Sequence, residues 1–318
     1  EAFAIKKMAE TMGAKIFSMN NRASGIADVL GFDASPNTID ELLSTNMILA
    51  VGFNTTDNPV IELKMKQAAE AGAKVVLVNP EDYVQHIDFL NRAVYTKNDL
   101  SFLKEVAKAV VDSGRGAGVD GYEEFAASVK DVAVSDDAKA VADMYLEAKK
   151  AMIVFNQNLI TTEAASLLAD IALVSGHIGT PRDGILQVKA KNNSQGLVDL
   201  GITAGAEELE GVKALVVFGE EADIDTDALE FLAVSDTHMT ALAAKADVVI
   251  PGTGFASTDG TYTNTERRLQ LVQAAIEEDV ELANWEIAAE IAHVFEVDYE
   301  WENTEDISVA MNDEVPAY

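Results

Sequence analysis

Short apolar runs separated by amphipathic helical segments set the strongest limit on what this chain can fold into. Residues 47–51 (MILAV) are continuously apolar, 60–71 carry helical periodicity ended by Gly72, and 74–78 form a second apolar run stopped by Asn79 and Pro80. Uninterrupted apolar strands of this length need cover on both faces, the condition met by parallel strands joined through helical crossovers. The unit of roughly 30 residues reads as a right-handed βαβ crossover. The rhythm continues with strands at 90–95 and 152–155 and returns at 214–218, 232–235 and 248–251. Helices are expected at 1–13, 99–112, 136–149, 161–175 and 285–295, with shorter ones at 225–231 and 240–244 and a short strand at 15–19. A chain of 318 residues is long for one hydrophobic core. The expectation is therefore an α/β fold of two doubly wound, mostly parallel-sheet domains. Residues 176–201 (GHIGTPRDGILQVKAKNNSQGLVDLG) read as the connection between them, carrying Lys189, Lys191, Asn192, Asn193 and Gln195 into a cleft.

Charge and cysteine content exclude whole classes of function. With 54 acidic against 23 basic side chains the formal charge is −31. Such a surface repels nucleic acid and anionic lipid, so neither is an expected partner. An anionic ligand would depend on local backbone amides and a few cations. Without cysteine the chain can build no disulfide, no thiolate nucleophile and no cysteine-ligated zinc or iron–sulfur site. His86, His177, His238 and His293 lack ligand-like spacing and read as surface or capping residues. No apolar run approaches the ~20 residues of a membrane span. Neither a signal peptide nor a basic leader opens the sequence, so a cytoplasmic location is expected. The helical pattern that begins at once with Glu1 reads as a fragment or a processed chain.

Polar residues gather where the expected strands end: GFNTTDNP, NPED, NQN, GEEAD, SDTHM and PGTGF. In open parallel sheets, ligands bind outside the carboxyl ends of the strands. Each loop taken singly is also ordinary turn and capping chemistry. Together they make a ligand cleft the expectation without naming its ligand. No GxGxxG follows the first strand, no GxxxxGK[ST] occurs, and there is no nucleophile elbow.

Three segments extend the reading. Residues 245–270, KADVVIPGTGFASTDGTYTNTERRLQ, resemble the ADVVLP…GTxxNxEgRxQ signature of the molybdopterin oxidoreductase family, which includes formate dehydrogenases, nitrate reductases and the large iron–sulfur subunit of respiratory complex I. Residues 38–80 resemble the family's strand–helix–strand segment ending in DPR, and 176–201 resemble its GniGrpG…GqnNvqGa.D.G stretch. The three occur in the family's order and span essentially the whole chain. The resemblance implies the two central domains of that fold, as 14–189 and as a discontinuous domain of 1–13 with 190–318. It also implies a bis(molybdopterin guanine dinucleotide) in the parent protein, cradled through Gly52, Asn54, Asn58, Asn79, Asn156, Asn193, Gly219, Asp236 and Asn264.

Departures from the family pattern fall at its reactive positions. Ser18 stands where formate dehydrogenases carry the metal-ligating cysteine or selenocysteine, and Met19 where they carry histidine. Lys189 replaces the active-site arginine, Asn79 the guanine-contacting aspartate, and Glu81 the arginine after Pro80. Ser18 and Lys189 are thus the candidate catalytic positions. The reading favoured by these departures is a fragment of a large subunit that keeps the fold as a scaffold, without a redox centre of its own. Iron–sulfur and flavin subunits or domains of a formate dehydrogenase or NADH dehydrogenase type complex are the implied partners. A cofactor-cradling part of an active molybdenum or tungsten formate dehydrogenase is the alternative, and a nucleotide-binding module the third choice.

Overall fold

The computed structural model describes residues 1–19, 21–203, 206–219, 224–277, 280, 282–316 and 318. The chain divides into two compact units. Unit 1 comprises 1–23, 192–264 and 268–318, and unit 2 comprises 24–191 and 265–267.

Unit 1 opens with α1 (Ala2–Met12), which Gly13 ends at φ 65°. Unit 2 then runs through α2 (Ala27–Leu30), a 3₁₀ turn (Ile39–Ser44), β1 (Met47–Val51), α3 (Pro59–Glu70), β2 (Lys74–Pro80), β3 (Arg92–Thr96), α4 (Asp99–Asp112), α5 (Tyr122–Ser128), α6 (Asp136–Glu147), β4 (Ala151–Asn156), α7 (Thr162–Ser175) and β5 (Gly184–Val188). Its five strands are all parallel, in the order β3-β2-β1-β4-β5. The continuous apolar runs serve two layers at once, because successive side chains leave opposite faces. Met47, Leu49, Val51, Ile153 and Phe155 join residues of α4, α6 and α7 on one face. Ile48, Ala50, Val75, Leu77, Met152 and Val154 join Ile61, Met65 and Ala68 of α3 on the other. Each such Leu, Ile or Val contributes on the order of 1.5–3 kcal/mol by leaving water. Helix ends follow local chemistry: Thr161 Oγ1 accepts the Ala164 N–H at 3.1 Å, and Gly176 closes α7 at φ 80°.

Residues 176–201 carry the chain from unit 2 to unit 1 after Lys191, as expected of a connector, but they are more than that. They hold β5, which pairs with β4 as the outer strand of the unit 2 sheet. Gln187 interrupts its apolar run and hides it in the sequence. Gly184 is required here, since a Cβ at φ 156° would lie 1.9 Å from Asn37 Oδ1. That same oxygen accepts the Ile185 N–H at 3.1 Å and fixes the start of the strand.

Unit 1 resumes with α8 (Ser194–Asp199), β6 (Ala214–Phe218), β7 (Phe231–Asp236), β8 (Val248–Pro251), β9 (Gly260–Thr263), β10 (Leu269–Val272), α9 (Asn284–Val294) and α10 (Thr304–Glu314). Strands β6, β7 and β8 form a parallel sheet in that order, and β9 with β10 an antiparallel hairpin. Phe3, Ala4 and Met8 of α1 pack with Leu200, Ile202, Ala288 of α9, and Ile307 and Met311 of α10. A smaller cluster of Val217, Leu232, Val234 and Ala243 covers part of the sheet. Three expected elements do not form. Residues 15–19 find no neighbouring strand, 225–230 make turns that lead into β7, and the 240–244 helix is replaced by a 3₁₀ turn at Ala243–Lys245. The hairpin is an element the sequence pattern did not announce. Among the described residues no helix is long and apolar enough to cross a membrane.

Candidate functional site

The carboxyl ends of β1, β2, β4 and β5 bring the polar loops of unit 2 to one edge of the sheet. Asn79, at the end of β2, is 0% exposed. Its Oδ1 accepts the Phe53 N–H at 2.9 Å, and its Nδ2 donates to the Phe53 and Tyr83 carbonyls at 3.0 and 3.3 Å. An aspartate could make the first of these bonds but would turn a carboxylate oxygen toward two carbonyls. Asparagine at this position therefore clamps the loop after β1. Within that loop Asn54 Oδ1 accepts the Thr56 N–H at 2.9 Å and Asn54 Nδ2 donates to Asp57 at 2.6 Å. Asn58 N–H bonds the Asn54 carbonyl at 3.1 Å as α3 begins. Gly52 holds φ 60°, and the place its Cβ would take lies 2.7 Å from Ile160 Cγ2. Asn156, buried at the end of β4, accepts the Asn158 N–H at 2.9 Å.

Lys189 follows β5 into a second buried group of polar side chains, its own side chain 1% exposed. Its Nζ lies 3.2 Å from Asp33 Oδ1 and 3.3 Å from Gln157 Oε1. Gln187 Nε2 donates to the same two oxygens at 3.1 and 2.8 Å. The Ser24 N–H and Oγ reach Asp33 at 2.6 and 2.8 Å. Burial pushes the Asp33 carboxyl upward. The Lys189 charge and the bonds from Ser24 and Gln187 outweigh it and hold the carboxyl below the usual aspartate value. The Gln187 backbone is held in turn by Ser35 Oγ, which receives its N–H at 2.8 Å, and by Thr265 Oγ1, which donates to its carbonyl. Gln187 Oε1 is buried without a partner among the described residues.

Sequence reasoning singled out Lys189 but missed Asp33, Ser24, Ser35 and Gln187, and it read Gln157 only as part of a polar loop. Asp33 lies 156 positions from Lys189, in a segment without periodicity. The one available signal was a lysine among apolar neighbours, which obliges some carboxylate to come to it.

In unit 1 the expected residues bond the chain's own backbone, Asp236 and Asn264 locally and Asn193 across 70 positions. Asn193 Oδ1 accepts the Thr263 N–H at 2.9 Å, Asp236 Oδ1 the Thr237 N–H at 2.7 Å, and Asn264 Oδ1 the Arg268 N–H at 2.9 Å. Gly219 turns the chain at φ 56°, and the GEEAD residues after it, 220–223, lie outside the described residues. Ser18 is buried, and its carbonyl accepts the Asn21 N–H at 3.3 Å.

At the opposite, amino ends of the unit 2 strands, His177, expected as a surface or capping residue, is buried. Its Nδ1 bonds Asp183 Oδ1 at 2.7 Å, and Tyr145 packs edge-on at 4.9 Å between ring centroids. Asp183 also accepts the Ala151 N–H at 3.0 Å and faces Lys150 at 3.2 Å. The cluster thereby secures the starts of β4 and β5. Among the described residues no group of His, Asp and Glu could hold a metal ion.

A family model described as molybdopterin oxidoreductase matches residues 1–294, and the chain belongs to that family. It is similar to formate dehydrogenase H of Escherichia coli strain K12, 23% identical, with 89% of this chain and 50% of that protein covered. It is also similar to the F420-dependent formate dehydrogenase subunit alpha of Methanocaldococcus jannaschii, 25% identical over 85% of this chain and 50% of that one. The chain spans about half the length of these curated relatives. Two solved structures share the fold. One is a chain of the formyltransferase/hydrolase complex of Methylorubrum extorquens in complex with methylofuran, at TM-score 0.65, 14% identity, and 92% and 88% of the two chains. The other is acetylene hydratase of Pelobacter acetylenicus, at TM-score 0.64, 13% identity, and 96% and 59%.

Membership of the family implies a molybdopterin cofactor in the parent protein. The donors of unit 2 do not fit such a group as they stand. Asn79 spends its amide on the chain's own backbone inside a fully buried pocket, and Ile160 fills the space beside Gly52. Lys189 is neutralised by Asp33 instead of presenting a cation to a substrate carboxylate.

Proposed function

We propose that this chain is the central-domain portion of a formate-dehydrogenase-like large subunit, and that its two units serve as a scaffold without a redox centre of their own. The observation that carries this reading is the buried Lys189–Asp33 pair, tied to Gln187 and Gln157 at the carboxyl ends of the strands. A cation at that position can polarise or bind formate only if it faces the substrate. Here it meets an internal carboxylate, and separating them leaves a buried charge at a cost of about 3–5 kcal/mol. The fully committed Asn79 supports the same reading. Its parent would work in the cytoplasm, in a formate dehydrogenase or NADH dehydrogenase type complex. Electrons there would pass through iron–sulfur and flavin subunits or domains.

The formate dehydrogenase relatives favour a second reading, in which the parent is an active molybdenum or tungsten enzyme and this portion cradles its cofactor. Metal analysis of the natively purified parent, with extraction and detection of the pterin, separates the two. The scaffold reading expects neither metal nor pterin, with reduced clusters still visible by paramagnetic resonance. Stoichiometric molybdenum or tungsten would overturn it.

A further inference from the structure

Unit 1 ends its parallel sheet on a strand that is uncovered on both faces. Val248 and Val249 are neighbours in β8, so their side chains leave opposite faces, and they are 42% and 39% exposed. Phe231, which begins the adjacent β7, is 41% exposed. Parallel strands are normally covered above and below, and an edge strand presents unpaired N–H and C=O groups to any further strand. The edge strand β3 of unit 2 reads Arg-Ala-Val-Tyr-Thr and carries a charge and two hydroxyls along its length. β8 reads Val-Val-Ile-Pro, protected only where Pro251 removes a donor at its last position.

Charge selects what can come to this edge. Residues 213–264, which contain the whole sheet, hold nine carboxylates and two lysines, Lys245 and Lys213, the latter paired with Glu230 at 3.2 Å. A second copy of the chain would bring the same charge to the interface and be repelled. A cationic segment would be steered toward it.

We propose that the β8 edge docks an extended segment of a partner polypeptide, apolar at alternate positions and flanked by lysine or arginine. The backbone of β8 supplies the pairing, Val248 and Val249 the contacts on the two faces, and Asp236, Asp247 and Asp259 the attraction. The inference holds whether or not the parent carries a pterin.

The test uses the full chain and two fluorescein-labelled peptides that share a core of alternating valine and threonine. One has two lysines at each end and the other two glutamates. Fluorescence anisotropy is expected to show binding of the lysine peptide alone, weakening by ~tenfold or more between low and high salt as the charges are screened. Val249→Lys, and as a second variant Val248→Lys, should each weaken that binding by ~tenfold or more while circular dichroism and the unfolding midpoint stay unchanged. Equal binding of both peptides, binding indifferent to both substitutions, or no binding of either would overturn the proposal. So would a dimer of the unlabelled chain in sedimentation velocity that Val249→Lys dissolves, since the edge would then belong to a second copy.

Discussion

The two sheets of this protein begin alike and finish differently. Along the chain β1, β2 and β3 of unit 2 are matched by β6, β7 and β8 of unit 1, each set pairing in parallel and in sequence order. In unit 2 the sheet continues past β1 into β4 and β5, so β1 lies inside it and every residue of β1 and β4 is buried. In unit 1 the sheet stops at β6, where only Val217 of five residues is buried. Charge divides the same way. Unit 1 carries 29 carboxylates against seven lysines and arginines, a formal −22, and unit 2 carries 25 against 16, a formal −9. An apolar run therefore states a requirement for cover, and only the neighbouring elements meet it. Unit 2 meets it internally, and unit 1 leaves part of it exposed.

Three measurements sharpen or break this contrast. The largest effect is expected at the internal ion pair. Asp33→Asn strands the Lys189 ammonium and should cost about 3–5 kcal/mol, whereas Asp33→Leu with Lys189→Met should recover most of it. Urea unfolding by far-ultraviolet dichroism reads both units. Trp285 and Trp301, the only tryptophans, lie in unit 1 and report on it separately. A loss seen first by tryptophan would contradict an origin in unit 2.

Truncations in the two sheets come next. Leu49→Ala in β1 should cost about 2–5 kcal/mol through lost burial and the cavity left behind. Val249→Ala in β8 should stay within about 0.5 kcal/mol. Comparable losses would mean that β8 is covered in solution and that the two sheets do not differ.

The smallest effect concerns Asp170 in α7. Burial raises its carboxyl from an ordinary value near 3.8 to about 6. A raised carboxyl favours folding in its protonated form. That contribution is complete below about pH 4 and is lost as pH climbs through 6. Asp170→Asn should therefore raise the melting point at pH 7.5 and leave it unchanged at pH 4. The full shift would correspond to ~3 kcal/mol. Because the side chain is only half-buried, solvent screening reduces the expected gain to about 1 kcal/mol. Equal gains at both pH values would assign the effect to helix propensity instead.

These elements also show what the sequence could disclose. MILAV at 47–51 and VVIP at 248–251 both announce strands, since few other structures use so short an apolar run. They do not announce their different fates, because cover is supplied by segments far away in the chain. β5 escaped notice because Gln187, pointing into the polar network, breaks the run that Ile185, Leu186 and Val188 would otherwise make. The same distance problem conceals the site. Asn79 is legible as the end of a strand, but which way its amide turns depends on Phe53 and Tyr83. Lys189 is legible as an unusual cation, but its carboxylate comes from a loop with no pattern of its own. Local chemistry fixes elements, and the partners of buried polar groups are fixed only by the finished fold.

The division of unit 1 into separated stretches of chain also fixes an order of events during synthesis. Phe3, Ala4 and Met8 leave the ribosome before any of unit 2, yet their partner Ala288 lies beyond the whole of unit 2. At ordinary elongation rates that separation corresponds to tens of seconds. Within that interval unit 2 receives all of its residues and can close, while α1 waits with its apolar face open. A nascent chain halted before α9 would be the state most exposed to chaperones and to aggregation.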